Sequence, residues 1–354
     1  MSEARVASLD FVRGAAAVCV AGAHFCVSRG VAADEFEIVS TLAVEVFFVL
    51  SGFVLAPQIL FCLSQRRWDV TRTFLVRRWM RTVPPFIVAL ICATALFRPD
   101  LRADFYRYLF YVQNLFRQHN TQDYFSIAWS LSIEEWFYVV FPITLIALVR
   151  IDSRRNVLTF CAGFVAIVFV LRMMFGDSAN WGPAVRRVVV FRIDSIVFGF
   201  LLYLFVDEAP RLRRLAVLVP FTVAAFFISF RAVASATAGG VMAGQAFPFL
   251  GAAFGGGVVA LGYAAQGPFE RPGVRSIAAF LGRISYSLYL FHVLWLALLG
   301  ALPPTRLGID FIIYVMVSGL FCAAFYEYFE KPIMAARPRY RRAEPVPAPT
   351  TAYT

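Results

Sequence analysis

Residues 9–24, "LDFVRGAAAVCVAGAH", have the apolar body of a membrane helix, yet they carry Asp10, Arg13 and His24. The surrounding chain has 354 residues, 60% of them hydrophobic and 16% charged, with 38 phenylalanines and a mean hydropathy of +0.71. That composition belongs to a polytopic membrane protein. No stretch between the apolar runs is long enough to build a separate water-soluble core, so a single membrane domain is expected. Residues 9–24 are not a cleavable signal, because their titratable groups interrupt what would be an uncharged segment.

Since a spanning helix needs about 20 apolar residues, ten runs qualify: 12–28, 38–62, 83–98, 128–149, 157–175, 186–206, 215–231, 241–264, 277–300 and 309–330. Residues 104–117 are too short and too polar to span, and read as an interfacial or re-entrant piece. The expected fold is an all-α integral membrane protein of about ten transmembrane helices, multi-pass in the cell (inner or plasma) membrane. A cytoplasmic N-terminus puts the larger share of Lys and Arg on the inner side and returns the C-terminus to the cytoplasm. Residues 337–354 read as a flexible, basic and then Pro-rich cytoplasmic tail that touches membrane lipid, and 1–336 as the transmembrane domain.

The net charge of +11 sits in short clusters between apolar runs, which excludes nucleic acid as a partner and points to membrane orientation. All six cysteines lie inside or at the ends of apolar runs with no CxxC pair, so neither a metal site nor a disulfide is expected. The glycine-rich run 239–257 lacks the strand–turn–helix context of a phosphate loop and reads as close helix packing.

Titratable groups at membrane depth are costly and mark function. Eleven helical steps lead from Arg13 to His24, so both share one helix face about 16 Å apart, with Ala17 and Ala21 leaving a groove between them for a neighbouring helix or an elongated ligand. Counting the rise per residue, Glu45 lies about 10 Å, and Glu134 and Glu135 about 7 to 9 Å, below the outer surface. His24 and His292 lie about 18 and 22 Å above the inner one. These groups therefore fall in one outer-half layer, suited to proton transfer. Glu134 and Glu135 point about 100° apart, so one of them suffices to face the interior. Glu327 and Glu330 read as interfacial or salt-bridged, and Asp194 with Arg192 as a candidate structural pair.

On the cytoplasmic side, Arg66, Arg67, Arg72, Arg77, Arg78 and Arg81 precede the Pro84-Pro85 expected to open the third span. Arg77, Arg78 and Arg81 lie one helical turn apart, and guanidinium forks suit bidentate phosphate binding. With Arg13 at the same level, a phosphate-bearing ligand is expected there, Asp10 supporting Arg13.

Seven stretches in order, "LDFVRGAAAVCVAGAH", "FFVLSGF" (47–53), "RRWMRTVP" (77–84), "WSLSIEEWFY" (129–138), "RIDSIVFG" (192–199), "GRISYSLYLFH" (282–292) and "YFEKP" (328–332), resemble the integral-membrane acyltransferase family 3. Its members transfer acyl groups, commonly acetyl, to glycans and other hydroxyl-bearing acceptors. The resemblance implies an acyl-CoA donor, most simply acetyl-CoA, bound from the cytoplasm, and a glycan, lipid-linked saccharide or other hydroxyl acceptor reached from the membrane or the far side. Fused members carry an extracytoplasmic esterase-like domain; this chain ends soon after its last expected span and is expected to act without one.

Under that resemblance His24 is the general base on the acceptor hydroxyl, or the carrier of a transient acyl group, with Glu134 or else Glu45 orienting its imidazole. Arg13, Arg77, Arg78 and Arg81 hold the donor phosphates. Tyr286, Ser51 and His292 are candidates for stabilising the thioester oxyanion, and Trp129 and Trp136 for stacking on a sugar. The rival readings are a proton-coupled transporter or flippase, whose inverted repeats are not evident in the sequence, and a non-catalytic membrane scaffold.

Overall fold

The computed structural model describes residues 6–97, 102–118, 123–150, 153–177, 180–206, 211–301 and 306–340, apart from the side chains of 102–103, 211–214 and 216. Residues 341–354, most of the expected tail, lie outside the described set, whereas Tyr340 packs on Phe61 and beneath the Arg77 guanidinium. Among the described residues all regular structure is helical, and nine helices are long and apolar enough to cross a membrane.

The helices are α1 (Ala7–Ser28), α2 (Ala33–Gln65), α3 (Trp68–Phe97), α4 (Arg102–Leu109), α5 (Ala128–Leu148), α6 (Arg154–Phe175), α7 (Val189–Arg192), α8 (Asp194–Phe205), α9 (Arg211–Thr237), α10 (Val241–Ala264), α11 (Gln266–Phe269), α12 (Pro272–Gly300), α13 (Leu307–Phe325) and α14 (Lys331–Ala335). Wider π-helical turns occupy Gly182–Arg186 and Tyr326–Glu330. Helix ends leave backbone groups without intrahelical partners, and the sequence supplies substitutes. Arg66, just past α2, donates to the carbonyls of Ile146 and Val149 at the end of α5 (2.7 and 2.5 Å). Ser153 accepts from the amide of Asn156 at the start of α6, and Pro272 opens α12 where its missing N–H costs nothing.

Helix α2 is the axle, packed by α1, α3, α5, α8, α9 and α10. Its approach to α8 is backbone on backbone. A Cβ at Gly52 would lie 1.9 Å from the Ile196 carbonyl oxygen, and one at Gly199 1.9 Å from that of Val49. Any side chain at either position would therefore force the helices apart, which is how small residues draw membrane helices together. Two buried ion pairs flank this crossing, Arg192 of α7 with Glu45 of α2 and Arg172 of α6 with Asp194 of α8 (3.2 Å). All four side chains are fully buried. The expected Asp194–Arg192 partnership is thus exchanged, each residue pairing with a different helix.

Three further boundaries differ from the sequence reading. Where one span over 186–206 is expected, the chain forms a π-turn, α7 and α8, the longest of them 12 residues. Hydropathy cannot register that break, because the backbone groups it exposes are satisfied inside the protein. The amides of Val189 and Val190 donate to the carbonyls of Asn114 and Leu115, and Asn114 Nδ2 donates to the Arg187 carbonyl (2.5 Å). Residues 104–117 accordingly comprise most of α4 and an irregular segment packed against α5 and α7, with Tyr108, Gln113 and Asn114 buried. Finally, Pro84-Pro85 does not open a span. α3 begins at Trp68 and runs through both prolines, so Arg72, Arg77, Arg78 and Arg81 stand on its first four turns while Arg66 and Arg67 precede it, and the nearby Thr82 carbonyl accepts a hydrogen bond from the Tyr286 hydroxyl (2.8 Å).

Candidate functional site

Two hollows lie along the inner faces of α1, α2, α5 and α12. The larger, about 970 Å³, opens among the basic residues. Asp10 and Arg13 reach it from α1, Ser51 and Gln58 from α2, Arg77, Arg78 and Arg81 from α3, and Glu134 and Tyr138 from α5. Arg283, Tyr286 and Tyr289 of α12, Glu330, Lys331 and Arg337 complete it. Its seven Lys and Arg side chains face only three carboxyl groups, those of Asp10, Glu134 and Glu330. That excess of guanidinium donors around open volume suits a polyanion. The arginines are held from behind: Arg78 donates to Gln58 Oε1 (2.5 Å), Arg77 to the Pro338 carbonyl (2.9 Å), and Arg13 lies 3.9 Å from Asp10.

The smaller hollow, about 200 Å³, holds His24, Glu37, Ser40, Ser126, Trp129, Arg186 and Arg187. Val44 and Tyr289 line both hollows, so a wall of these two side chains separates the basic volume from the imidazole. Arg186 lies over the faces of Trp129 and Trp181 (5.3 and 5.8 Å) and donates to Thr41 and Glu37 (2.7 and 3.3 Å). Arg187 pairs with Asp123 at 3.6 Å. Asp123, in the loop before α5, is held above the ordinary carboxylate range by burial, which the Tyr108 hydroxyl and Arg187 oppose.

His24 and His292, placed by the rise per residue in one layer, are in contact, with His24 Nδ1 2.8 Å from His292 Nε2. Their rings lie nearly parallel. The carboxylate beside His24 is neither Glu134 nor Glu45. It is Glu37, whose Oε2 lies 4.0 Å from His24 Nε2. Glu45 is taken up by Arg192 of α7, beside the α2–α8 crossing. Glu134 lines the basic hollow, accepting from Ser51 (2.7 Å) and Tyr138 (3.1 Å), while Glu135 is buried and does not line it. Glu37 escaped the sequence reading because the second span was counted from residue 38, one turn after the helix begins.

The groove along Ala17 and Ala21 is filled by helices: both residues cluster with Ile284 and Leu288 of α12 and Tyr314 of α13, and the Tyr314 hydroxyl donates to the Ala21 carbonyl. The open volume beside Arg13 is bounded instead from α2 and α5, by Phe47, Ser51 and Ser130. The oxyanion candidates are already engaged: Ser51 donates to Glu134, Tyr286 donates to the Thr82 carbonyl, and both His292 ring nitrogens are in contact, Nδ1 with the Tyr289 carbonyl and Nε2 with His24. Trp129 has a face covered by Arg186, and the Trp136 indole donates to the Tyr111 carbonyl (2.9 Å). Glu330, read as interfacial, is buried, accepts from Ser287 and lines the basic hollow, whereas Glu327 is the exposed partner of Lys331. Glu330 and Tyr289 line the basic hollow although the sequence reading gave neither a site role, and both stand in quoted stretches, "YFEKP" and "GRISYSLYLFH". Among the described residues no group of three or more His, Cys, Asp and Glu is placed to hold a metal ion.

Comparison with known proteins bears on this arrangement. Residues 6–328 match the profile of a family described as an acyltransferase domain, acyltransferase family 3. A Staphylococcus aureus (strain COL) protein named "Putative O-acetyltransferase SACOL0978" is 32% identical over 159 residues, 39% of this chain and 26% of its own length. "O-acetyltransferase OatA" of S. aureus (strain NCTC 8325 / PS 47) is 28% identical over the same shares. The match thus spans about a quarter of these curated relatives. No solved structure matches the chain.

Proposed function

This chain belongs to acyltransferase family 3, and from that premise we propose that it is a membrane O-acyltransferase of the cell membrane, moving an acyl group, acetyl in the first instance, from acyl-CoA to a hydroxyl-bearing acceptor such as a glycan or lipid-linked saccharide. The observation that carries the reading is the pair of hollows on either side of the Val44–Tyr289 wall, one rich in guanidinium groups and one holding an imidazole. The donor enters the basic hollow from the cytoplasm. Its phosphates meet Arg77, Arg78, Arg81 and Arg13, and its pantetheine arm covers the roughly 16 Å that eleven helical residues span between Arg13 and His24. The acceptor enters the smaller hollow from the other side. The wall is where the two substrates meet.

His24 Nε2 takes the proton of the acceptor hydroxyl as its oxygen attacks the thioester carbonyl. The carbon–sulfur bond breaks, and the departing thiolate recovers the proton from the imidazolium, leaving an ester and CoA. Glu37 stands close enough to offset the transient positive charge. Attack by His24 Nε2 itself, with a brief acyl-imidazole, uses the same atom and the same geometry. The paired state of Glu45 and Asp194 takes both out of a proton relay, which weighs against the transporter reading.

The test is transfer of radiolabelled acetyl from acetyl-CoA by membranes containing the protein. His24→Ala is expected to lower turnover about 10²- to 10⁴-fold with expression and detergent stability unchanged. Wild-type transfer by that variant would end the His24 mechanism, and membranes of the wild-type protein that transfer no acetyl would end the functional assignment.

A further inference from the structure

The contact between the two histidines fixes more than their separation. His292 Nδ1 lies 2.8 Å from the Tyr289 carbonyl oxygen of its own helix. A carbonyl only accepts, so His292 Nδ1 carries the hydrogen, and in the neutral ring Nε2 carries the lone pair. That lone pair lies 2.8 Å from His24 Nδ1, which must therefore be the donor. The hydrogen of a neutral His24 is then on Nδ1, and its Nε2 is the basic atom on the side of Glu37 and the small hollow.

We propose that His292 is the positioning residue of the transfer reaction. By accepting from His24 Nδ1 it holds His24 in the Nδ1–H tautomer and aims Nε2 at the acceptor. The backbone of α12 dictates the chain of three groups, Tyr289 carbonyl, His292, His24. The carbonyl sets the tautomer of the first ring, and the first ring sets that of the second, as the partner of one ring nitrogen decides the state of the other. This assignment gives His292 a role as acceptor and removes it from the oxyanion candidates, since no ring N–H remains to donate into either hollow. It rests on the reading of His24 as the acting base or nucleophile. The proton taken by Nε2 yields an imidazolium whose Nδ1–H still donates to His292, so the contact strengthens as charge develops. The titratable and charged groups around His24 are Glu37 of α2, Arg186 and Arg187 of the broken segment, and Tyr289 and His292 of α12.

The chain has three histidines, His24, His119 and His292, so ¹⁵N-histidine labelling of the full-length protein in lipid nanodiscs gives a spectrum of three rings, assigned by His119→Gln and His292→Gln. At a pH where the rings are neutral, both His24 and His292 are expected with a protonated Nδ1 and an unprotonated Nε2, the reverse of the tautomer that free imidazole side chains favour. His24 protonated on Nε2 in the wild type would overturn the proposal, whatever the protein's activity. In turnover, His292→Leu removes the acceptor and is expected to lower kcat by up to about 10⁴-fold, the cost of a wrongly held imidazole tautomer, with the KM for acetyl-CoA unchanged. His292→Gln restores an acceptor oxygen at the Nε2 position and is expected to return within about 5-fold of wild type, as one retained hydrogen bond implies, with the Nδ1–H signal of His24 intact. If the Gln variant folds, keeps that signal and is still as slow as the Leu variant, the positioning role is wrong. A transfer rate unaffected by His24→Ala, together with the expected tautomers, would instead sink the role of His24 in the proposed reaction and leave the tautomer assignment standing.

Discussion

Two regions hold buried or half-buried arginines and carboxylates, and they are built on opposite rules. At the α2–α8 crossing the charges match one to one, Arg192 with Glu45 and Arg172 with Asp194, all fully buried. Around the basic hollow the cations outnumber the carboxyl groups and face open volume. Taking charges out of water costs several kcal/mol per ion, and only pairing offsets it. A region that pairs all its charges is therefore closed to ligands, and one that leaves cations in excess awaits an anion. Depth in the membrane does not tell the two apart; stoichiometry does.

The largest test of that contrast removes one partner in the paired region. Glu45→Ala strands Arg192 and is expected to cost about 3–5 kcal/mol, seen as a drop in the thermal unfolding midpoint of the purified protein in detergent. Glu45→Leu combined with Arg192→Met is expected to recover most of that loss, because an apolar pair of similar volume replaces the ion pair without desolvation. A single variant costing under about 1 kcal/mol would mean the crossing is wetter than four fully buried side chains imply.

In the basic hollow the prediction inverts. Arg78→Ala leaves the midpoint near that of wild type but weakens acetyl-CoA binding about 10- to 100-fold, the equivalent of one hydrogen bond to a charged group, measured by titration calorimetry. Wild-type affinity there would move the donor elsewhere. Gln58→Leu, which removes only the amide that holds Arg78 in place, is expected to weaken the same binding by about 3- to 10-fold, the range of one neutral hydrogen bond. At the foot of the scale stands Glu327→Gln. Its pair with Lys331 is exposed on both sides, so stability is expected to move by less than about 0.5 kcal/mol, and a larger change would show that the π-turn depends on it.

Much of this contrast was hidden from the sequence for a definable reason. The rise per residue fixes how deep a side chain lies, and on that basis the two histidines fall in one layer, as they do. It does not fix azimuth across helices. Glu45 has an expected depth close to that of His24, yet it points toward Arg192 of α7. Glu134 points toward the arginines and Ser51. Spans were likewise legible as apolar runs, but α7 and α8 were not legible as a break, because a broken segment wrapped in protein is as apolar as a continuous helix. The arginines at 77, 78 and 81 stood out by type and spacing, whereas their place on a helix running through two prolines did not. Glu37 was lost to a boundary drawn one turn late.

The glycine contact at the crossing of α2 and α8 bears on how distant relatives of this chain are to be read. "FFVLSGF" and "RIDSIVFG" each end on the glycine, or one residue past it, that lets the other helix's backbone touch, and no substitution at Gly52 can be offset by one at Gly199, which is already the smallest residue. A descendant that had lost all chemistry would still need both to assemble. Matches at these two glycines therefore diagnose the scaffold alone, and a surveyor sorting live enzymes from inert copies would look instead at positions 24, 37 and 292, which carry the proposed chemistry.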